Sequence, residues 1–354
     1  MPALLPLLGA FAPHSEWEHR LQSPKRAERA RMSRPDIGIL GAGAFGTALG
    51  VALAQAGRRV EIWARDAAQA AAMVDERENK ARLPGVALPD GLHATADLGA
   101  AAQAPVVLLA VPTQRLRSVV EAHAELLRGR VLIACCKGVE MGSGLLPTQV
   151  LTDVLPETTR GVLTGPSFPA DIARGKPTAL TLAAEGAGAA ALQADLATHH
   201  LRLYLSDDLV GAQLGGALKN VIAIAAGITI GAGLGESSRA ALMTRGFAEI
   251  SRLAQARGAN PQTLLGLSGF GDLVLTCTSD KSRNFRHGVS IGAGAEPDPG
   301  QTVEGVMTAH AMAEGADPDE MPVICMVSAL LKGEVALREA VDLLLSRPLR
   351  FERG

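Results

Sequence analysis

Two lysines stand in settings where a lysine could move a proton or bind a small anion. Lys137 directly follows an apolar run at 131–136, and Lys219 lies beside Asn220 within a long apolar segment. Burial disfavours the charged amine and lowers its pKa, which suits a lysine that acts as an acid or base. Both lysines could also lack a catalytic or binding role. Lys137 would then be a loop lysine, and Lys219 a surface lysine whose stem lies along the protein while its amine reaches water. Spacing alone does not choose between these readings.

Further polar residues follow the sequence Gly269-Phe270-Gly271. They are Asp272, Thr276, Ser282, Arg283 and Asn284. The last three offer hydroxyl, guanidinium and amide donors in consecutive positions, a set that suits a phosphate dianion. A capped loop with a solvated charge has the same composition, so this pattern also leaves two interpretations open.

A glycine-rich turn joins the apolar run 37–40 to a segment that predicts a helix to about residue 56. Gly41 would permit a tight turn, Gly43 would let the backbone approach a pyrophosphate, and Gly46 would let the helix pack on the strand. The helix N-terminus would add unpaired N–H groups and a positive dipole end. With a second strand at 59–64, the pattern predicts a nucleotide-binding β-α-β unit. A tight turn without a ligand is the alternative.

Two charged residues compete for the cofactor's adenosine ribose. A count of about 20 residues from Gly41 arrives at Glu61, the residue type that binds a ribose 2′-hydroxyl. Glu61 lies inside the predicted strand, however, whereas Arg65 follows the strand's end, where the ribose contact is made. A guanidinium there can pair with a 2′-phosphate. The sequence favours NADP(H), with NAD(H) and a merely solvated Arg65 as the alternatives.

Alternating apolar strands and helices predict the scaffold that would position these residues. Strands are expected at 37–40, 59–64, 106–111, 131–136, 161–163, 179–184 and 201–205, and Asp66 should cap a helix that runs to about residue 80. Strands that are apolar throughout and separated by helices indicate a parallel sheet covered on both faces. The fold class is therefore α/β, with an N-terminal Rossmann doubly wound sheet followed by an all-helical C-terminal domain.

The domain boundaries follow from where the strand pattern ends. Residues 34–206 are predicted to form the NAD(P)-binding Rossmann domain, and 207–350 the all-helical substrate and catalytic domain. Helices in the second part are expected at about 209–230, 237–257, 261–267, 303–313 and 321–345. Residues 1–33, with four prolines and a charged end, are predicted to be a disordered extension, and Met32 is a plausible alternative start.

Composition argues against several classes of protein. A net charge of −2, a pI near 6.5 and 3% aromatic residues give no case for nucleic-acid binding. The four cysteines include no C-x-x-C pair and the histidines show no ligand spacing, so we expect a reducing cytosol and no metal. No apolar run reaches the roughly 18 residues of a membrane span.

Five blocks of this sequence, in order, resemble bacterial NAD(P)-dependent sn-glycerol-3-phosphate dehydrogenases. They lie at 41–49, 136–140, 164–168, 213–224 and 271–284. The resemblance implies a Rossmann domain and a helical domain with the active site between them. It also implies reversible hydride transfer between NAD(P)H and dihydroxyacetone phosphate, giving sn-glycerol 3-phosphate for phospholipid synthesis, and a homodimer.

The resemblance also implies a role for individual residues. Lys219 would be the catalytic general acid/base, and Asp272 and Asn220 would hold it and the substrate hydroxyls. Substrate contacts are implied for Lys137, Gly165, Ser167, Asn220, Asp272, Thr276, Ser282, Arg283 and Asn284. Cofactor contacts are implied for Gly41, Gly43, Ala44, Phe45, Gly46, Arg65, Lys137, Pro169, Arg283, Thr302 and Glu304. Two positions depart from the family pattern. The family often has a serine, with its hydroxyl, where this chain has Ala44, and it usually has an alanine where this chain has Pro169, which lacks a backbone N–H donor.

Two other functions fit parts of the pattern. A 3-hydroxyacid dehydrogenase or ketopantoate reductase has the same two-domain plan and a catalytic lysine, but lacks the polar triplet 282–284 in this context. A dinucleotide-sensing regulator would not need Lys219, Asn220 and Asp272 together, because a sensor needs no proton donor.

Overall fold

The first part of the chain forms one eight-stranded sheet. The computed structural model describes residues 34–296 and 303–346, so the extension predicted at 1–33 lies outside the described residues. The strands, β1 to β8 in chain order, are Ile37–Leu40, Val60–Trp63, Leu92–Thr95, Val106–Leu109, Val131–Ala134, Arg160–Thr164, Thr178–Ala184 and Leu201–Ser206. Their order in the sheet is β3-β2-β1-β4-β5-β6-β7-β8. The order in which strands are added therefore reverses at β1: β2 and β3 lie on one side of it, and β4 to β8 lie on the other.

Helices cover both faces of this sheet. They are α1 (Ala44–Gln55), α2 (Ala67–Glu76), α3 (Leu98–Ala101), α4 (Thr113–Ala122), α5 (Ala124–Leu127), α6 (Pro147–Val154), α7 (Pro169–Ala173) and α8 (Ala189–Leu196). Strands β1 and β4 are buried at every position, as expected for a sheet sandwiched between helices. One apolar cluster on each face fills the space between sheet and helices.

Three details of this first part of the chain differ from the sequence-based expectation. Strands β6 and β7 pair antiparallel, because the connection between them carries only the five-residue helix α7 rather than a full crossover helix. Strand β3 was not predicted, since its sequence Leu-His-Ala-Thr is short and half polar, as suits an edge strand. Helix α2 ends at Glu76 rather than near residue 80, because Arg77 adopts a left-handed conformation with φ 51°.

The second part of the described chain is helical. Its helices are α9 (Leu209–Gly231), α10 (Glu236–Ala256), α11 (Pro261–Leu265), α12 (Asp272–Cys277), α13 (Arg283–Gly292), α14 (Glu304–Ala313), α15 (Pro322–Lys332) and α16 (Leu337–Leu345). Helix α9 has the length and hydropathy of a membrane span, but 89% of its most apolar window is buried inside the protein. It is the central helix, packed against α10, α12, α13 and α14.

Three helix assignments in this part were also wrong. Helices α12 and α13 were not predicted, and the single helix expected at 321–345 is two helices. The break falls at Gly333, whose φ of 71° ends α15 in the left-handed conformation that glycine adopts without a Cβ penalty. Even so, the predicted fold class is confirmed: a Rossmann-type sheet is followed by helices, and β8 ends at Ser206, just before α9 begins at Leu209.

Candidate active site

A single buried carboxylate joins the two lysines that the sequence singled out. Lys219 Nζ lies 2.7 Å from Asp272 Oδ1 and 2.7 Å from Thr276 Oγ1. Lys137 Nζ lies 2.6 Å from Asp272 Oδ2 and 2.9 Å from the carbonyl oxygen of Gly165, which also accepts from Ser167 Oγ at 3.3 Å. Asp272 is only 1% exposed. Two ammonium groups thus share one carboxylate, so these three side chains together carry one positive charge when both lysines are protonated.

The environment of Lys219 brings its proton transfer close to neutral pH. Burial lowers the pKa of Lys219 to about 8, with the charge of Lys137 acting in the same direction and the carboxylate of Asp272 opposing both. An amine with a pKa near the working pH can both give and accept a proton at useful rates. The setting therefore has the properties of an acid/base centre rather than of a surface lysine.

Close packing of helix α9 brings Lys219 to the sheet. A Cβ on Gly216 would lie 2.5 Å from Thr164 Oγ1, at the end of β6, and a Cβ on Gly215 would lie 2.6 Å from the carbonyl oxygen of Ser268. Both glycines stand one turn before Lys219, so the helix backbone touches the sheet on one side and the Leu267–Gly271 segment on another. That segment forms a π-helical turn, a feature often found at functional sites, and leads directly into α12 and Asp272.

The predicted phosphate-binding triplet occupies the N-terminus of α13. Ser282 Oγ accepts a hydrogen bond from the backbone N–H of Phe285 and so caps the helix. Asn284 Nδ2 donates to Asn220 Oδ1 at 2.9 Å, which ties the triplet to α9 one residue beyond Lys219. The side chain of Arg283 is exposed. The structure therefore brings these residues to the edge of the lysine centre, and their role toward a phosphate stays a prediction.

Glu304 is a further acid beside the two lysines, and it is partly buried. It begins α14, where it accepts the backbone N–H of Lys137, and the backbone N–H of the next residue, Gly305, donates to Asn284 Oδ1 at 3.0 Å. Burial raises the pKa of Glu304, while the charges of Arg283 and Lys137 partly offset that rise. Thr302, its predicted partner in cofactor binding, lies outside the described residues.

The glycine turn has the shape of a cradle for a ligand. Gly41 has a φ of 118°, and a Cβ there would lie 2.7 Å from the carbonyl oxygen of Ala110; a Cβ on Gly46 would lie 2.2 Å from the carbonyl oxygen of Gly41. A Cβ on Gly43, by contrast, would meet nothing within 4 Å. No packing reason in the described structure requires glycine at 43. Open space beside this backbone fits a cofactor whose pyrophosphate approaches it.

Residues near the turn complete the predicted cofactor surface. Ala44 and Phe45 form the first turn of α1, which has no side-chain cap and so presents its N–H groups outward. Arg65 is exposed just after β2, whereas Glu61 lies mid-strand opposite His93 of β3. Pro169 is the first residue of α7. Arg65 and Lys137 both follow parallel strands, β2 and β5, and three strand spacings separate these strands, roughly 14 Å along one edge of the sheet.

Sequence reasoning missed the polar residues behind the glycine turn. Asn79, Gln69 and Thr47 form a hydrogen-bonded group that reaches the carbonyl oxygen of Ala42. Nothing local marks them, because Asn79 stands in a run of charged residues and was expected on a helix. Among residues 34–296 and 303–346, no three histidine, cysteine or acidic side chains are grouped so that they could hold a metal ion.

The sheet order, the glycine turn at the reversal point and a buried lysine beside the sheet's carboxyl edge define a two-domain nicotinamide-dependent dehydrogenase. Comparison with known proteins specifies this class further. Residues 36–190 match the family model of the NAD-dependent glycerol-3-phosphate dehydrogenase N-terminus, and residues 208–342 match that of the C-terminus.

Similar proteins agree over nearly the whole chain. The chain is 54% identical to a glycerol-3-phosphate dehydrogenase [NAD(P)+] of Ruegeria sp. over 89% of this chain and 99% of that protein. It is 56% identical to one from Cereibacter sphaeroides over 89% of this chain and all of that one. The crystal structure of glycerol-3-phosphate dehydrogenase from Coxiella burnetii superposes on this structure with a TM-score of 0.84. The two sequences are 34% identical, and the match covers 89% of this chain and 99% of that one.

The chain belongs to the NAD-dependent glycerol-3-phosphate dehydrogenase family, and the resemblance inferred from its motifs is confirmed. It is an NAD(P)-dependent oxidoreductase.

Proposed function

We propose that this enzyme catalyses the reversible NAD(P)H-dependent reduction of dihydroxyacetone phosphate to sn-glycerol 3-phosphate, supplying glycerophospholipid synthesis. The observation that carries the proposal is the buried Lys219–Asp272–Lys137 centre, which combines an acid/base amine with an excess positive charge. A phosphorylated hydroxyketone needs both, a proton for its carbonyl oxygen and positive charge close to its dianionic phosphate, which the neighbouring N-terminus of α13 would hold. The names of the similar enzymes support this substrate.

Reduction of the carbonyl consumes one hydride and one proton. The bound nicotinamide cofactor supplies the hydride to the carbonyl carbon. Lys219, as an ammonium, donates the proton to the carbonyl oxygen, and in the reverse direction its neutral amine accepts the hydroxyl proton. Asp272 and Thr276 hold the Lys219 amine through its other two hydrogen-bonding positions, so one N–H direction is left for the substrate. Lys137 binds the substrate oxygens from the opposite side of Asp272.

The phosphate group is assigned to the N-terminus of α13. Its first backbone N–H groups and the Arg283 guanidinium are donors that favour a dianion. Ser282 can add a donor, because a hydroxyl that accepts one hydrogen bond still keeps its own hydrogen. Asn284, held by Asn220 and Gly305, fixes the distance between this anchor and Lys219.

The cofactor is assigned to the carboxyl edge of the sheet, from Arg65 to Lys137. Its pyrophosphate would lie on the glycine turn and its nicotinamide near Lys137 and Glu304. We favour NADP(H) over NAD(H), because the exposed Arg65 guanidinium can pair with a 2′-phosphate. The proposal also includes the cytosol, in keeping with the four free cysteines, and a homodimer, which follows from the family resemblance alone.

The first experiment measures NADPH and NADH oxidation with dihydroxyacetone phosphate for the wild type and Lys219→Met, which keeps the apolar stem. We expect kcat to fall by about 10²- to 10⁴-fold, the usual scale for a positioned acid/base. In the wild type, kcat/KM for reduction should fall as pH rises through about 8, because the protonated Lys219 is the donor. The same quantity for oxidation should rise over this range, because the neutral amine is then the acceptor.

Lys332→Met, on an exposed lysine at the end of α15, is the matched control and should leave kcat unchanged. Binding of NADPH by every variant checks that the fold is intact. A Lys219→Met enzyme within about threefold of the wild-type kcat would exclude the acid/base role. A wild type that binds NADPH but does not reduce dihydroxyacetone phosphate would exclude the substrate.

A further inference from the structure

A buried asparagine lies directly behind the glycine turn. Asn79 is 1% exposed, and its Nδ2 donates to the carbonyl oxygen of Ala42 at 3.0 Å and to Thr47 Oγ1 at 2.8 Å. Gln69 Nε2 donates to the same Ala42 oxygen at 2.8 Å and also reaches Asn79 Oδ1 at 3.3 Å. The carbonyl between the first two glycines of the turn thus accepts from two side-chain amides. The orientation of the Asn79 amide is unambiguous, because a carbonyl oxygen can only accept.

This arrangement fixes the direction of one peptide plane. The peptide bond between Ala42 and Gly43 is trans, so its C=O and N–H groups point in opposite directions. Because Asn79 and Gln69 hold the oxygen on the inner side, the Gly43 N–H must face the outer side of the turn. In the described part of the chain, no group accepts a hydrogen bond from that N–H. The space that a Gly43 side chain would fill is empty to 4 Å.

The loop that carries Asn79 is itself firmly held. Arg77 leaves helix α2 with its left-handed φ of 51°, and its guanidinium donates to the carbonyl oxygens of Leu88 at 2.8 Å and Leu92 at 3.3 Å. The carbonyl oxygen of Asn79 accepts from the backbone N–H of Leu83 at 2.7 Å. A buried, fully bonded amide on such a loop can impose an orientation on the glycine turn, which would otherwise be the most flexible backbone of the site.

We propose that Asn79, assisted by Gln69, is a positioning residue for the cofactor's pyrophosphate: it turns the Ala42–Gly43 peptide so that the Gly43 N–H points at a phosphate oxygen. The inference rests on nicotinamide dinucleotide binding at this turn and not on the choice of substrate. It goes beyond the family's glycine pattern, because the residue that sets the donor's direction lies outside that pattern. An N–H that is already oriented before binding loses less freedom when the phosphate arrives.

The test measures dissociation constants for NADPH, NADH and ADP-ribose by titration calorimetry, without substrate. Asn79→Asp keeps the size of the side chain but replaces the donor toward the Ala42 oxygen with a carboxylate oxygen. We expect it to weaken all three ligands by the same factor, roughly 10- to 100-fold, the scale of a lost hydrogen bond to a charged group. ADP-ribose keeps the pyrophosphate but lacks the nicotinamide, so an equal loss places the effect on the phosphates. At saturating cofactor and substrate, kcat should stay within about twofold while KM for the cofactor rises.

Thr47→Val is the matched control, because it removes the second acceptor of Asn79 Nδ2 and leaves the bond to Ala42 in place. It should bind all three ligands within about threefold of the wild type. Asn79→Ala, with its melting temperature recorded, is the second variant and should match Asn79→Asp in affinity. Unchanged affinities in both Asn79 variants would overturn the proposal, as would an equal loss in Thr47→Val, which would show a purely structural role. If the wild type binds all three ligands but does not reduce dihydroxyacetone phosphate, the proposed reaction fails while this inference is still decided by the affinities.

Discussion

The glycine turn and the lysine centre form the two halves of one site with different chemical groups, backbone N–H donors in the turn and charged side chains in the centre. The turn is six consecutive residues, Gly41 to Gly46, and offers uncharged backbone donors beside open space. The centre is three ionisable side chains, Lys137, Lys219 and Asp272, from three distant segments. One half is local and neutral, and the other is assembled by the fold and charged.

The difference matters because charge is costly to bury, whereas an unpaired N–H at the protein surface is not. The centre depends on Asp272 to balance the buried ammonium group of Lys219 and the partly buried one of Lys137, so its parts cannot be removed singly without a loss of stability. The turn depends on shape and on the orientation of one peptide plane. Changes in the centre should therefore affect catalysis and stability together, and changes in the turn should affect cofactor affinity.

The strongest challenge to this division is Asp272→Ala. It leaves two ammonium groups facing each other in a buried site, so we expect kcat to fall by at least about 10²-fold. The free energy of unfolding should fall by about 3–5 kcal/mol, the scale for breaking a buried ion pair. Steady-state kinetics and denaturant unfolding measure the two losses.

Asp153→Ala provides the control for that experiment. Asp153 pairs with Arg117 at 2.6 Å, but its side chain is 59% exposed, so the free energy of unfolding should change by less than about 1 kcal/mol. If Asp272→Ala lost activity but kept its stability, the view that the centre couples charge burial to catalysis would be wrong.

Two alanine substitutions within the turn separate its folding role from its binding role. Gly41→Ala forces a Cβ against the carbonyl oxygen of Ala110 at a φ of 118°, so it should lower the melting temperature and the cofactor affinity together. Gly43→Ala meets no protein atom within 4 Å and should leave the melting temperature unchanged. Its methyl group would occupy the space of the pyrophosphate, and we expect the dissociation constant for NADPH to rise at least about tenfold. Thermal unfolding and calorimetry distinguish the cases, and an unchanged affinity in Gly43→Ala would remove the pyrophosphate from this turn.

The same contrast explains how far the sequence could be read. The strand, the three glycines and helix α1 were predictable because each depends on its near neighbours. The hydrogen bonds of Asp272 to Lys137 and Lys219 join residues 135 and 53 positions apart, and no local pattern encodes such a pairing. The residues themselves indicated three separate clusters, and the family resemblance implied that Asp272 would hold Lys219. Only the fold shows that the same carboxylate also accepts from Lys137.

Asn79 shows the limit most clearly. The helix that begins after Asp66 was predicted to run to about residue 80 and so to include Asn79, yet the left-handed Arg77 ends that helix and Asn79 is buried. A single residue in an uncommon backbone conformation decided this, and Arg77 is not a residue type that sequence rules expect there. Strand β3 and helix α13 were missed for a similar reason, since their half-polar sequences become ordered through contacts with the rest of the protein.

The smallest expected effect concerns the outer end of the cofactor surface, where the site is again local and exposed. We expect Arg65→Ala to reduce the ratio of kcat/KM for NADPH to that for NADH by roughly tenfold. An exposed guanidinium–phosphate contact changes an affinity by little more than this factor of about ten. The NADH value should hardly change, since NADH carries a hydroxyl where NADPH carries the phosphate. Glu61→Gln is the control: Glu61 lies mid-strand opposite His93, so the ratio should stay within about twofold. A ratio that responded to Glu61→Gln and not to Arg65→Ala would mean that the residue count from Gly41, rather than the end of the strand, locates the ribose contact.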